Sequence, residues 1–120
     1  MSELDSQQVE IVGKHILIAN LLAAGIEVAE PMRDRGIDLI AFIDGKSGGR
    51  FEACPIQVKA ATDQSFGLDK KYEKSHNLRI VFIWNATIPK DSELYSLTYE
   101  EAESVLHEMK YSLSESWKQG

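Results

Sequence analysis

The chain has a single cysteine, Cys54, among its 120 residues. One thiol cannot form an internal disulfide, and a zinc site built on several thiolates is excluded for the same reason. The sequence also lacks a basic segment followed by an apolar signal region, and its apolar runs fall well short of the roughly 20 residues that cross a bilayer. These absences predict a protein with no membrane partner and a cytoplasmic location.

Positive charge is also scarce, since 13 lysines and arginines stand against 19 aspartates and glutamates, for a net charge of -6. Tight nonspecific binding to nucleic acid draws on many lysines and arginines, so this balance disfavours that class. It leaves room for an enzyme whose acidic side chains hold a divalent metal. No repeat or linker divides the chain, which predicts one domain over residues 1–120, with a tail after about residue 112 that either frays or packs on a partner.

Apolar spacing in the first third of the chain predicts one helix and two strands. The helix extends from about Ser6 to Ala24 and ends at Gly25, which is expected in a left-handed C-cap conformation. A short strand follows around residues 26–28. The next strand, at residues 37–43, is almost wholly apolar, so we expect it to be covered on both faces and to lie centrally in the sheet.

A glycine-rich turn at residues 44–49 predicts a hairpin that joins this strand to a partner at about residues 50–60. Further along, the sequence predicts a short helix at 68–74, a buried strand at 79–84, an optional edge strand at 92–97, and a last helix opened by a capping box of Thr98 and Glu101. The order α-β-β-β-α-β-(β)-α predicts an α/β fold of the α+β type, with a mixed central β-sheet flanked by helices.

Three polar residues on two successive strands could carry chemistry. Asp38 stands in an apolar stretch, where a carboxylate is costly unless a metal or a lysine compensates its charge. Gln57 and Lys59 are two residues apart and therefore share one face of the partner strand. The alternative is that these residues have no chemical role: Asp38 caps a turn, and the Gln-x-Lys pair lies on a solvated strand.

Those residues suit the hydrolysis of a phosphodiester. Mg²⁺ prefers oxygen ligands, which Asp38, the Gln57 amide oxygen and the backbone carbonyl of Val58 could supply. Such a metal polarises the phosphate and lowers the pKa of a bound water, while Lys59 could orient that water or stabilise the developing negative charge. The trio therefore predicts a metal-dependent hydrolytic site.

The segments GIDLIAF and PIQVKA, joined by the glycine-rich hairpin, resemble the PD-(D/E)XK nuclease superfamily, especially its Holliday-junction-resolvase-like and Mrr-like branches. The resemblance extends over most of the chain, from GKHILIANLLAAG to SFGLDKKY and RIVFIW. It implies a restriction-endonuclease-like fold and cleavage of DNA with Mg²⁺ or Mn²⁺. By this resemblance, Asp38 corresponds to the metal-binding aspartate, Gln57 to the second acidic position and Lys59 to the catalytic lysine.

The sequence departs from that family at two positions. Gln57 replaces the more usual acid, which removes one negative charge from the metal site, and Lys14 stands where many relatives have a glutamate after the glycine that matches Gly13. Glu10, one helical turn earlier, is either a substitute metal ligand or a solvated surface acid. The departures favour a second hypothesis, a catalytically inactive nuclease-fold domain that binds nucleic acid or protein.

Two surface groups complete the predictions. Three lysines of the predicted middle helix form either a rim that contacts DNA phosphates or a solvated helix face: Lys70, Lys71 and Lys74. Three aromatic residues are candidates for an apolar contact surface in a homodimer: Trp84, Tyr95 and Trp117.

Overall fold

The computed structural model describes residues 4–33, 35–45, 49–64, 77–105 and 107. In chain order, the elements are α1 (Ser6–Ala23), β1 (Glu27–Ala29), β2 (Leu39–Ile43), β3 (Glu52–Ala60), β4 (Arg79–Trp84), β5 (Glu93–Leu97) and α2 (residues 99–105). This confirms the α+β class with a mixed sheet and helices. The predicted middle helix at 68–74 and the tail after residue 112 lie outside the described residues.

The five strands form one sheet in the order β1-β2-β3-β4-β5. Neighbours pair antiparallel except for β3 and β4, which are parallel and therefore require a long crossover between them. The two neighbours of β3 use different parts of it: β2 pairs with its first half, as far as Ile56, and β4 pairs with its second half, from Ile56 to Ala60. Among the described residues, the second half of β3 consequently has one edge with no strand beside it.

The two helices of the described residues cover opposite faces of the sheet, and β4 shows this most clearly. Val81 and Ile83 belong to the apolar cluster that includes residues of α1, while Ile80 and Phe82 belong to the cluster formed with α2. Alternate side chains of a strand point to opposite faces, so β4 is buried on both of them, as its apolar run predicts.

The expectation for β2 is wrong in two respects. The middle strand is β3, and β2 lies between β3 and the short edge strand β1. Leu39 and Ala41 are buried, but Ile43 is 51% exposed. The reason is that β1 has only three residues and pairs with β2 from Ile40 to Phe42, so the last residue of β2 extends past it.

Both helices begin with capping boxes. Asp5 and Gln8 exchange two hydrogen bonds of 2.8 Å at the start of α1. Gly25, just after the end of α1, has the predicted left-handed conformation, with φ 83°. At α2, Glu101 N donates to Thr98 Oγ1 at 3.1 Å and Thr98 N donates to Glu101 Oε1 at 2.9 Å, which confirms the second predicted box. In the described part of the chain, neither helix has the length and apolarity needed to span a bilayer.

Replacing Thr98 by alanine is expected to lower the free energy of unfolding by about 1 kcal/mol, because the N–H of Glu101 loses its acceptor at the start of α2. Urea unfolding followed by circular dichroism measures the effect. Thr98→Ser keeps the hydroxyl and serves as the matched control. Equal stability of the alanine and serine variants would contradict this role for the cap.

Candidate functional site

The point where β2 separates from β3 creates the candidate site. Asp38 N still donates to Ile56 O at 2.8 Å, but β2 extends no further back along β3. In a regular strand the N–H and C=O of alternate residues point to the same edge, so the N–H of Val58, the carbonyl of Val58 and the N–H of Ala60 follow Ile56 along this edge. We call this stretch, residues 58–60, the open edge of β3. Its N–H groups need acceptors from elsewhere.

Asp38 supplies the first acceptor. Its Oδ2 accepts a hydrogen bond of 2.7 Å from Val58 N, so a side chain takes the place that a continuing strand would have filled. Asp38 is half-buried and directly precedes β2, which begins at Leu39, whereas the sequence pattern placed it inside the strand. Its carboxylate is therefore anchored to the main chain of β3.

Glu10 of α1 supplies the second acceptor, because its Oε1 accepts from Ala60 N at 3.4 Å. The residue is exposed, yet its carboxyl lies against β3, and this partial burial raises the pKa of Glu10 above its ordinary value. The negative charge of Asp38 raises the pKa further, while the hydrogen bond from Ala60 and the positive charge of Lys59 lower it. Glu10 thus shares one electrostatic environment with Asp38 and Lys59, and its role as a metal ligand stays a prediction.

Gln57 and Lys59 alternate with these main-chain groups on β3. Their neighbours Ile56 and Val58 are buried in the cluster that includes α1, so Gln57 and Lys59 point to the opposite face. Gln57 Oε1 is shielded from solvent and has no hydrogen-bond partner among the described residues. Lys59 is half-buried. An unpaired amide oxygen and an ammonium group therefore flank the open edge.

Lys14 is paired with Glu30 and not with the acids of the candidate site. Its Nζ lies 3.6 Å from Glu30 Oε2, in an ion pair that links α1 to the segment after β1. Within the described ranges, no group of three or more His, Cys, Asp or Glu side chains could hold a metal. A cation at the open edge would therefore depend on two carboxylates and on oxygen atoms of other kinds.

The other predicted contacts remain untested. The lysines at 70, 71 and 74 and the indole of Trp117 lie outside the described residues. Trp84 and Tyr95 are in contact, with ring centroids 5.0 Å apart, and Tyr95 is 44% exposed. Their part in a homodimer stays a prediction.

The sequence did not predict that the N–H groups of Val58 and Ala60 bind the two acids. It assigned Val58 a role through its carbonyl, and Ala60 no role at all. Every residue type except proline offers the same N–H, so no motif marks such a donor. The available clue was indirect: an isolated glycine such as Gly13 inside a helical pattern is costly and often has a packing reason.

Asp38→Ala is expected to lower the free energy of unfolding by about 1–3 kcal/mol, because it leaves the Val58 N–H without its acceptor. Asp38→Asn keeps an oxygen acceptor and should cost clearly less. Chemical denaturation of both variants, with a chelator present, measures the difference. If asparagine costs as much as alanine, the hydrogen bond to Val58 is not what Asp38 contributes.

Glu10→Gln is expected to stabilise the metal-free protein at neutral pH. Because the folded pKa of Glu10 is raised, the favourable contribution of this group is complete below its ordinary pKa of 4.5 and is lost as the pH rises through the folded pKa. Glutamine stays neutral and keeps an acceptor for Ala60, so the melting temperature should rise at neutral pH. The gain should vanish below pH 4.5.

Differential scanning calorimetry across this pH range, with a chelator present, measures the effect. Glu103→Gln, at an exposed position of α2 beyond its first turn, controls for the loss of one negative charge. A gain in melting temperature that is equal for both variants, or independent of pH, would contradict the assignment of the effect to the raised pKa of Glu10.

Comparison of the chain with protein-family models, with curated proteins and with solved structures finds no match.

Proposed function

We propose that this protein is a metal-dependent phosphodiesterase that cleaves DNA, with a PD-(D/E)XK-type site and a restriction-endonuclease-like fold. One observation carries the proposal: Asp38 and Glu10, from separate elements, bind successive N–H groups on the open edge of β3, beside Lys59. The sheet topology supports it, because the change from an antiparallel to a parallel neighbour of β3 produces that edge.

The atoms at the open edge fit a hard divalent cation. Asp38 binds Val58 N through Oδ2 and Glu10 binds Ala60 N through Oε1, so each carboxylate keeps a second oxygen for a ligand. The Val58 carbonyl lies between the two N–H groups along the same edge. Mg²⁺ commonly takes one or two carboxylates in a protein and keeps several waters, which matches this set.

Gln57 adds a further observation in favour of a cation. Its buried amide oxygen has no hydrogen-bond partner in the part of the chain that the structure describes, which costs free energy, and a bound cation or its water would satisfy it. The two acids also repel each other, which contributes to the raised pKa of Glu10. A divalent ion would relieve this repulsion, so metal and protons compete at the site and metal affinity should increase with pH.

The roles of the side chains follow from this arrangement. When bound, Mg²⁺ or Mn²⁺ would polarise the phosphate and lower the pKa of a coordinated water. Lys59 holds an ammonium group beside the two acids, where it would stabilise negative charge on the phosphate oxygens. Asp38 and Glu10 keep their geometry before any ligand arrives, because the main chain of β3 anchors both of them.

A second candidate function is a nuclease-fold domain that binds nucleic acid or protein without cleaving it. The Lys14–Glu30 ion pair favours this second function. Lys14 serves to join α1 to the segment after β1, at a position where many members of the nuclease superfamily have an acid. The neutral Gln57 and the net charge of -6 also weaken metal and DNA binding. For either function we propose a cytoplasmic location, where the half-buried Cys54 stays reduced.

The test of the proposed function is a cleavage assay on linear, circular and branched DNA with Mg²⁺ or Mn²⁺. Asp38→Asn and Lys59→Met are the informative variants, since asparagine retains an acceptor for Val58 and methionine retains most of the length of the lysine. Each should reduce the cleavage rate by roughly 10²-fold or more. Lys90→Met, at an exposed position after β4, controls for the loss of one positive charge.

The outcomes separate the two functions. Cleavage that persists in Asp38→Asn would mean that another site or a contaminant is responsible. Mn²⁺ binding by calorimetry that disappears in Asp38→Asn would count against the domain without chemistry. Absence of both cleavage and Mn²⁺ binding would refute the metal site and favour that domain.

A further inference from the structure

Gly13 makes the closest approach between α1 and the sheet. It is buried in the middle of the helix, and a Cβ atom built on it would lie 2.5 Å from the Cβ of Ala60. The next nearest atoms are at ordinary distances, with Ile83 Cδ1 at 3.4 Å and Ala60 Cα at 3.7 Å. One methyl group, that of Ala60, therefore excludes a side chain at position 13.

A glycine inside a helix has a cost, roughly 0.5–1 kcal/mol relative to alanine, so its presence here calls for a packing reason. The reason lies at Ala60. Glu10 precedes Gly13 by three residues and lies on the same side of α1. Its carboxylate accepts from the N–H of Ala60, the residue that Gly13 touches. The tightest contact of the helix and the hydrogen bond of the acid thus converge on one residue of β3.

The hydrogen bond from Ala60 N to Glu10 Oε1 is already long, at 3.4 Å. A displacement of α1 by a few tenths of an ångström would take it beyond hydrogen-bond distance. Asp38 is supported differently, because it directly precedes β2, whose strand is paired with β3. The pairing of β2 with β3 therefore holds Asp38 in place, whereas the position of Glu10 depends on how closely α1 packs.

We propose that the contact between Gly13 and Ala60 is the device that positions Glu10 at the open edge of β3. Both are positioning residues: position 13 requires glycine, and position 60 requires a residue no larger than alanine. The inference rests on the proposed function where it extends to metal binding. An α1 held too far from β3 would remove Glu10 from its anchor at Ala60, and the site would lose one of its two described acids.

Amide hydrogen exchange of the metal-free protein tests the positioning directly. In Gly13→Ala, the Ala60 amide is expected to exchange roughly fivefold faster or more relative to the Val58 amide, because Ala60 loses its acceptor while Val58 keeps Asp38. The double variant Gly13→Ala/Ala60→Gly removes the blocking methyl group and should restore slow exchange at position 60. Ala60→Gly alone controls for the change of residue type.

Two further variants separate positioning from general stability. Ala19→Gly, at an exposed position of α1, weakens the helix without adding an atom at the contact, so the Val58 and Ala60 amides should change together. Glu10→Asp shortens the acid by one methylene and leaves the contact intact. It should expose the Ala60 amide alone, and it gives this readout even if Gly13→Ala does not fold.

Calorimetric titration with Mn²⁺ supplies the second measurement. We expect Gly13→Ala to weaken binding on the order of tenfold or more, and the double variant to recover most of it. An Ala60 amide that exchanges no faster relative to Val58 in Gly13→Ala, or in Glu10→Asp, would overturn the positioning. Failure of the wild-type protein to bind Mn²⁺ would instead refute the proposed function, while the exchange data would still decide whether Gly13 positions Glu10.

Discussion

The structure depends on the hydrogen-bonding requirement of one strand edge. β2 leaves β3 at Leu39, and β3 continues along β4 with its other edge open. An N–H group without an acceptor is costly, so the chain must bring acceptors to the edge of residues 58–60. It brings carboxylates, and with them a concentration of negative charge. The same requirement that stabilises the end of the sheet therefore assembles a group of atoms able to hold a cation.

Packing around β4 makes this arrangement rigid. β4 is buried on both faces, under α1 on one side and α2 on the other, so the parallel pair β3–β4 cannot shift without disturbing two apolar clusters. The end of β3 also lies against the first turns of α1, where Glu10 and Gly13 meet Ala60. The acid of α1 thus meets a strand distant in sequence. A partly buried carboxyl near another acid has a raised pKa, as expected where a site is built at some cost to stability.

Local patterns predicted most of the secondary structure. The bounds of β4, the left-handed Gly25 and the capping box of Thr98 and Glu101 all follow from short-range chemistry, which the sequence contains in full. The position of β2 in the sheet was predicted wrongly, because an apolar run indicates burial but not which neighbours provide it. Asp38 was recognised as a candidate from its apolar surroundings, whereas its bond to Val58 depends on where two strands separate.

The sequence by itself determined the class of the fold, the ends of its main elements and the residue types available for chemistry. These properties follow from periodicity, turn preferences and side-chain functional groups, which act over a few residues. Only the tertiary structure decided which acids meet: it paired Lys14 with Glu30 and brought Glu10 to Ala60. The position of Glu10 depends on the close contact of Gly13 with β3 and on backbone N–H groups. Because every residue except proline has such an N–H group, no sequence pattern predicts which one binds an acid.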